Sequence, residues 1–287
     1  MKSPLTHLTR YHHQSKDYLT LSDGVTPAVT AQISFDEALK QTPHALKRTM
    51  IENQTPLPQG AYKKAILSDR ARVFCVGKNY LKHAQEMGGD APPAPDIFTR
   101  THESFVTDGE AIITPTDQPF HDYEGELAVM IGKSGRNIPE SDALDHIFGY
   151  GAANDGSIRN WQKRTSQFTL GKNWDQSGAL SADITLASPD IDPQKLYVTT
   201  QVNGQTVQSQ TTTMMIFSAK VIIQTLSQMT TLRTGDIILT GTPEGVGTAQ
   251  KPPRYLQAGD HVSVLIQTED RQTRIAATEN TVTAQRK

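Results

Sequence analysis

A β-rich α+β fold is what this sequence predicts, on three observations. From Arg72 onward, short apolar runs alternate with turns marked by Gly and Pro. Six such runs are spread over the remaining chain of about 200 residues. Too few helical patterns lie between them to supply the regular strand-helix alternation of a parallel wind, so a mixed sheet is expected.

The elements follow in chain order. Residues 18–21 and 28–31 read as short strands, and 34–50 as one helix, because Ser34 and Glu37 have the spacing of a capping box. The Pro-rich stretch 55–58 closes this part, giving an N-terminal subdomain, 1–68, ahead of a core domain, 69–287. In the core, residues 73–77, 111–115, 127–132, 196–204, 236–241 and 261–268 are the expected strands. Helices are expected at 141–148, 157–165 and 216–229. Cys75, the single cysteine, sits inside the first core strand and reads as a small buried residue, with no partner for a disulfide or a thiolate metal site.

Charge and hydropathy narrow the function classes. Lys and Arg number 28 against 30 Asp and Glu, which leaves no basic field to hold nucleic acid. Mean hydropathy is -0.48, and no window approaches the ~20 apolar residues of a membrane span. Residues 1–10 carry no apolar segment of an export signal, so a cytoplasmic protein is expected.

The chemistry concentrates in three stretches. Glu124 and Glu126 precede five apolar residues; two apart on a strand, they share a face, and the apolar run carries them toward the interior. A buried carboxylate pair needs neutralising, which a hard divalent cation with oxygen ligands supplies, although E-x-E is also the ordinary make-up of a solvated strand face. Asp155, in Asn154-Asp155-Gly156, follows small residues at a strand end or helix start, where it is either a third ligand or an N-cap. Arg159 and Gln162, three apart, would share the helix face beyond it. Between Gly77 and Gly88, His83 and Glu86 are also three apart. That spacing makes either a carboxylate-oriented general base or an exposed polar pair. GTPEGVG, residues 241–247, lacks the Gly-Lys-Ser/Thr ending of a phosphate loop and reads as a tight turn delivering backbone amides to a carboxylate.

Taken together, these pieces resemble the fumarylacetoacetate hydrolase superfamily, in particular its small bacterial acylpyruvate hydrolases and 2-oxo-acid hydratases. The matching segments are VGKNYLKHAQEMG, PDIFTRTHESFV, DYEGELAVMIGKSGRNIPESDALDHIFGYGAANDGSIRNWQK, QFTLGKNWDQSGAL, VNGQTVQ, GDIILTGTPEGVG and PPRYLQAGDHV, in family order from Arg72 to the C-terminus. The resemblance implies a mixed β-sandwich roll, a homodimer, and Mg²⁺ or Mn²⁺, with Ca²⁺ as a third candidate, held by Glu124, Glu126 and Asp155. It further implies His83 and Glu86 on a mobile lid, Lys172 as a catalytic lysine, and substrate contacts from Arg159, Gln162 and Thr242. Arg100 stands where many relatives carry Lys and is expected as an oxyanion or carboxylate clamp. The run 177–183 departs from the family's Gly-Pro and is expected to reshape a pocket loop. The implied reaction is metal-dependent cleavage of a carbon-carbon bond in an acylpyruvate-like diketo acid to release pyruvate, His83 activating water. Hydration, isomerisation or decarboxylation of related 2-oxo acids are the alternatives, and a binder without turnover would not need His83, Glu86 and Lys172.

Overall fold

The structure is a computed structural model that describes residues 6–23 and 28–285; the first five residues of the stretch read for an export signal lie outside that range. Two sheets form its frame. In the larger, of twelve strands, neighbours run Val29–Ala31, Lys16–Ser22, His7–His13, Asp183–Leu186, Ile147–Asn154, Gly125–Ile131, Ile237–Leu239, Val73–Gly77 and Asp96–Arg100. Gly178–Leu180 branches from Ile147–Asn154 and carries Phe105–Thr107 parallel beside it. The second sheet orders Gln205–Thr211, Leu196–Val202, His261–Thr268, Arg274–Ala284 and Ile112–Thr114. All six apolar runs read from the sequence are strands, and the fold is β-rich α+β as expected.

Gly125–Ile131 is central because it is buried on both faces. Leu127, Val129 and Ile131 pack with Val198, Val264 and Ile266 of the smaller sheet. Ala128 and Met130 point the other way, into a core shared with Phe35, Leu39, Leu46 and Met50 from the N-terminal helices. Period-two alternation thus joins three layers, and each large apolar side chain buried this way stabilises by about 1.5–3 kcal/mol. At the strand's entry the sheets approach so closely that a Cβ on Gly125 would lie 1.9 Å from Thr200 Oγ1, which explains the glycine between the two glutamates.

Helix positions needed correction. The expected helix 34–50 is two, Phe35–Leu39 and Pro43–Glu52. Pro43 disfavours a helical residue before it, and Thr42 turns extended and caps Ala45 N instead. Ser34 does cap as read, accepting from Glu37 N at 3.2 Å. Residues 140–146 are a 3₁₀ helix, Glu140–His146, and Ile147 and Phe148 already open the strand Ile147–Asn154. Ser157–Ile158 pairs with His121–Asp122, which leaves only Arg159–Gln162 helical. The last helix begins at Ala219, with Ser218 accepting from Val221 N. Among the described residues no helix is long and apolar enough to cross a membrane.

Candidate active site

The antiparallel register Gly125↔Asn154 and Glu126↔Ala153 sets Glu124 and Glu126 at the mouth of one strand and Asp155 just past the end of its neighbour. Asp155 N donates to Glu124 O at 2.8 Å, and Glu124 N donates to Asn154 Oδ1 at 2.9 Å. One carboxylate oxygen from each of Glu124, Glu126 and Asp155 lies within 4.8 Å of the others, and all three residues are buried. Asp155 caps no helix, since the next one starts at Arg159 with Ile158 before it.

Three buried cations surround the acids. Lys172 Nζ donates to Glu124 Oε2 at 2.6 Å, Asp155 Oδ2 at 2.5 Å and Asp155 O at 2.9 Å. Arg159 Nε donates to Asp122 Oδ2 at 2.8 Å, and its Nη2 lies 2.7 Å from Glu124 Oε1. Arg100 spends all five N–H donors inside the protein: Nη1 on Asp155 Oδ1 and Gly156 O, Nη2 on Ser104 O and Ser177 Oγ, Nε on Ser104 Oγ. Four buried carboxylates, counting Asp122, therefore face three buried cations. Glu126 is the acid left over: among the described residues its carboxylate accepts from Gly241 N at 2.7 Å and from no side-chain cation.

The titration behaviour follows from that imbalance. Burial alone would raise the Glu124 carboxyl, but Lys172 and Arg159 outweigh it and hold the pKa down to about 2. Burial, reinforced by Asp155 and Glu124, pushes Glu126 well above the usual carboxylate range. Lys172 is penalised by burial but raised above its ordinary value by Asp155 and Glu124, so it is an ammonium donor and not a base. A triad of oxygen donors with one uncompensated acid fits a hard divalent cation, because each carboxylate oxygen keeps a further lone pair.

The third part is the short helix Leu81–Glu86. His83 is buried on it, its Nδ1 2.8 Å from Glu86 Oε1. Glu86 in turn accepts from Gly245 N at 2.9 Å, so loop 241–247 holds the dyad. The same loop donates from Gly247 N and Thr248 N to Asp122 and from Gly241 N to Glu126. The turn delivers its amides, as expected, to carboxylates, and these belong to the protein itself.

A cavity of about 300 Å³ collects the site. His83, Glu124, Glu126, Asp155, Arg159, Gln162, Lys172 and Thr242 line it. Glu86 and Arg100 do not; Arg100 lies behind Asp155 with no donor left for a substrate, which corrects its expected place as a clamp on the cavity. Residues 177–183 are not on the wall either. Gly178–Leu180 is a strand, and Ser177 accepts from Arg100, so this run holds the acid cluster from behind. Gln162 Oε1 accepts from Arg159 Nη1, and Thr242 Oγ1 donates to Gly125 O while accepting from Gln208 Nε2.

Sequence reasoning missed Asp122 and Gln208. Asp122 ties Arg159 to the 241–247 loop, and its signal was its place two residues before Glu124. Gln208, buried on an otherwise polar strand, accepts from Gly125 N and donates to Thr242 and Pro243, with nothing in its local sequence to mark it.

Fold and site together define a β-rich protein whose cavity is floored by a buried acidic triad able to hold a divalent cation. The chain belongs to the fumarylacetoacetate hydrolase family: residues 72–283 match the family's C-terminal domain. It is 43% identical over 197 residues to the oxaloacetate tautomerase YisK of Bacillus subtilis, a match covering 68% of this chain and 65% of that protein's length. With the mitochondrial oxaloacetate tautomerase Fahd2a of Rattus norvegicus it shares 35% identity over 268 residues, 89% of this chain and 86% of the relative. Among solved structures, fumarylpyruvate hydrolase of Pseudomonas aeruginosa in complex with Mn²⁺ and pyruvate superposes with a TM-score of 0.67 at 29% identity, over 81% of this chain and all of that one.

Proposed function

We propose that this chain interconverts the keto and enol forms of a small 2-oxo acid, with oxaloacetate the first substrate to test, on Mg²⁺ or Mn²⁺ held by Glu124, Glu126 and Asp155. One observation carries the reading: a carboxylate-oriented imidazole and an ammonium open into the same cavity as the acid left without a cation. The two curated relatives above bear tautomerase names, and that favours enolisation over hydrolysis as the first activity to assay.

A divalent cation held by Glu124, Glu126 and Asp155 would supply Lewis acidity toward a 2-oxo oxygen. With its Nδ1–H given to Glu86, His83 keeps Nε2 as the basic nitrogen, suited to take a proton from C3 and return it. Lys172, held charged by its acids and with its three N–H donors on Glu124 and Asp155, supplies fixed positive charge beside the developing oxyanion and does not abstract a proton.

Hydrolysis of an acylpyruvate is the second reading, because the same Nε2 could activate water, and the Pseudomonas neighbour is a fumarylpyruvate hydrolase. The test compares, with and without Mn²⁺ after EDTA stripping, C3 deuterium exchange into oxaloacetate and pyruvate release from acetylpyruvate and fumarylpyruvate. Metal-dependent exchange without pyruvate release supports tautomerisation, and the reverse pattern supports hydrolysis. Mn²⁺ binding with neither activity would rule out both.

A further inference from the structure

On the strand Gln205–Thr211 Gln208 alone is buried, and the partners of its side chain all lie at the site. Its Oε1 accepts from Gly125 N at 2.9 Å, and its Nε2 donates to Thr242 Oγ1 and to Pro243 O, each at 2.8 Å. An N–H on one side and a carbonyl on the other admit a single orientation of the amide.

Those partners bracket Glu126, to which Gln208 makes no hydrogen bond. Gly125 precedes Glu126 on its strand, and Thr242 and Pro243 follow Gly241, whose N–H donates to the Glu126 carboxylate at 2.7 Å. Thr242 closes the bracket by donating its hydroxyl proton to Gly125 O at 3.0 Å, which ties loop to strand and leaves that hydroxyl no proton for a bound acid. The backbones have little slack. A Cβ on Gly245 would lie 2.1 Å from Val207 O, and one on Gly125 1.9 Å from Thr200 Oγ1, so the smaller sheet abuts both loop and strand. Gly241 itself, at φ of 98°, sits where side chains are rarely tolerated, and the direction of its amide depends on what holds the residues after it. Glu124 and Asp155 are each fixed by buried cations, whereas Glu126 has only this backbone to hold it among the described residues.

We propose that Gln208 is a positioning residue for the divalent cation: it sets where the Glu126 carboxylate stands by fixing the backbone on both sides of it, from outside the cavity. This rests on the reading above that Glu126 is a ligand. A neutral amide suits the task, because it gives three well-directed hydrogen bonds without the counter-charge that the cation itself brings.

The test measures Mn²⁺ affinity, from the electron spin resonance signal of free Mn²⁺, and the melting temperature of the metal-free protein. The full chain is compared with Q208M, E126Q and the double variant. Q208M is expected to bind Mn²⁺ about tenfold more weakly, whereas adding it to E126Q costs at most about a further twofold, because the carboxylate it positions is gone. N280L is the control for a merely structural role: Asn280 is a buried amide of the same sheet that donates to Thr107 O and Glu110 O, and its loss should lower the melting temperature with Mn²⁺ affinity unchanged. T242V, which loses the hydroxyl between Gln208 and Gly125, should weaken Mn²⁺ binding, and T242S should restore it. Native affinity in Q208M, or the same loss with and without the Glu126 carboxylate, overturns the positioning role and leaves Glu126 a ligand. Should Q208M fail to fold, native affinity in T242V overturns it instead. Native affinity in E126Q overturns the metal reading and this one with it.

Discussion

At the scale of single residues, the site works by unequal pairing. Among the described residues of the site Glu126 is the buried acid without a cation, so it should govern both metal affinity and the strain of the metal-free state. Replacing Glu126 with Gln removes a buried charge, and the metal-free variant is expected to melt above the metal-free native chain at pH 8. Saturating Mn²⁺ should reverse the order, since a ligand at 100 times its Kd stabilises by about 2.7 kcal/mol and the variant would forgo most of that. Melting curves with and without Mn²⁺ check this; equal metal-induced shifts in both proteins would count against Glu126 as a ligand. Arg100 poses a subtler case, because it touches the site only through Asp155. Lys cannot reproduce five donors in a planar fork, so R100K should lower Mn²⁺ affinity by about 10- to 100-fold without entering the cavity. For His83, whose Nδ1 faces Glu86, H83A is expected to slow C3 exchange by about 10²- to 10⁴-fold, with Mn²⁺ affinity unchanged by calorimetry.

At the scale of elements, sequence legibility divided by type. The six apolar runs were legible because each buries a continuous stretch or an alternating face. The strand Ile147–Asn154 was not, although it carries Asp155 at its end: Gly149, Gly151, Ala152 and Ala153 have little strand propensity of their own. They are small because of what lies opposite, as a Cβ on Gly149 would meet Thr185 O at 2.5 Å, and such a contact between distant segments leaves no local signal. Of the site, spacing marked Glu124, Glu126, Asp155 and the His83–Glu86 pair as candidates beside blander readings, and the family resemblance chose among these, whereas the partners that engage them, Asp122, Gln208 and Arg100 in its actual place, are products of tertiary approach. The hairpin His7–His13 and Lys16–Ser22 offers a test at this scale. Asp17 accepts from Arg10, His12 and Phe35 N, fastening the hairpin to the helix Phe35–Leu39. Burial acts to raise the Asp17 carboxyl, but the Arg10 charge and these hydrogen bonds outweigh it and hold the pKa below its ordinary 3.8. A lowered folded-state pKa means the contribution is present above that ordinary value and lost as pH falls through the lower one. D17N should therefore cost about 1–3 kcal/mol in urea unfolding at pH 7, with the gap to the native chain closing below about pH 4.

For the whole molecule, the question is whether residues 1–68 are an attachment or a structural necessity. The family match begins at residue 72, yet the large sheet runs through the junction, with His7–His13 paired to Asp183–Leu186 from deep in the core domain. Leu8, Leu19, Phe35, Leu46 and Met50 share one apolar cluster with Val73, Cys75, Met130, Ile184 and Leu239. Removing the segment would expose one face of the strand Gly125–Ile131 that sets Glu126, along with the edge of Asp183–Leu186. Both are hazards for aggregation and leave the core short of burial. We therefore regard 1–68 as a subdomain that cannot be removed: a chain of residues 69–287 is expected to be insoluble or to lack a cooperative melt, and the full chain to unfold in one transition. Native-state hydrogen exchange would check the same point without truncation. Protection in His7–His13 should match that of Ile147–Asn154 if the two belong to one cooperative unit, and much faster exchange in the N-terminal strands would mean that they open independently of the sheet that holds the acids.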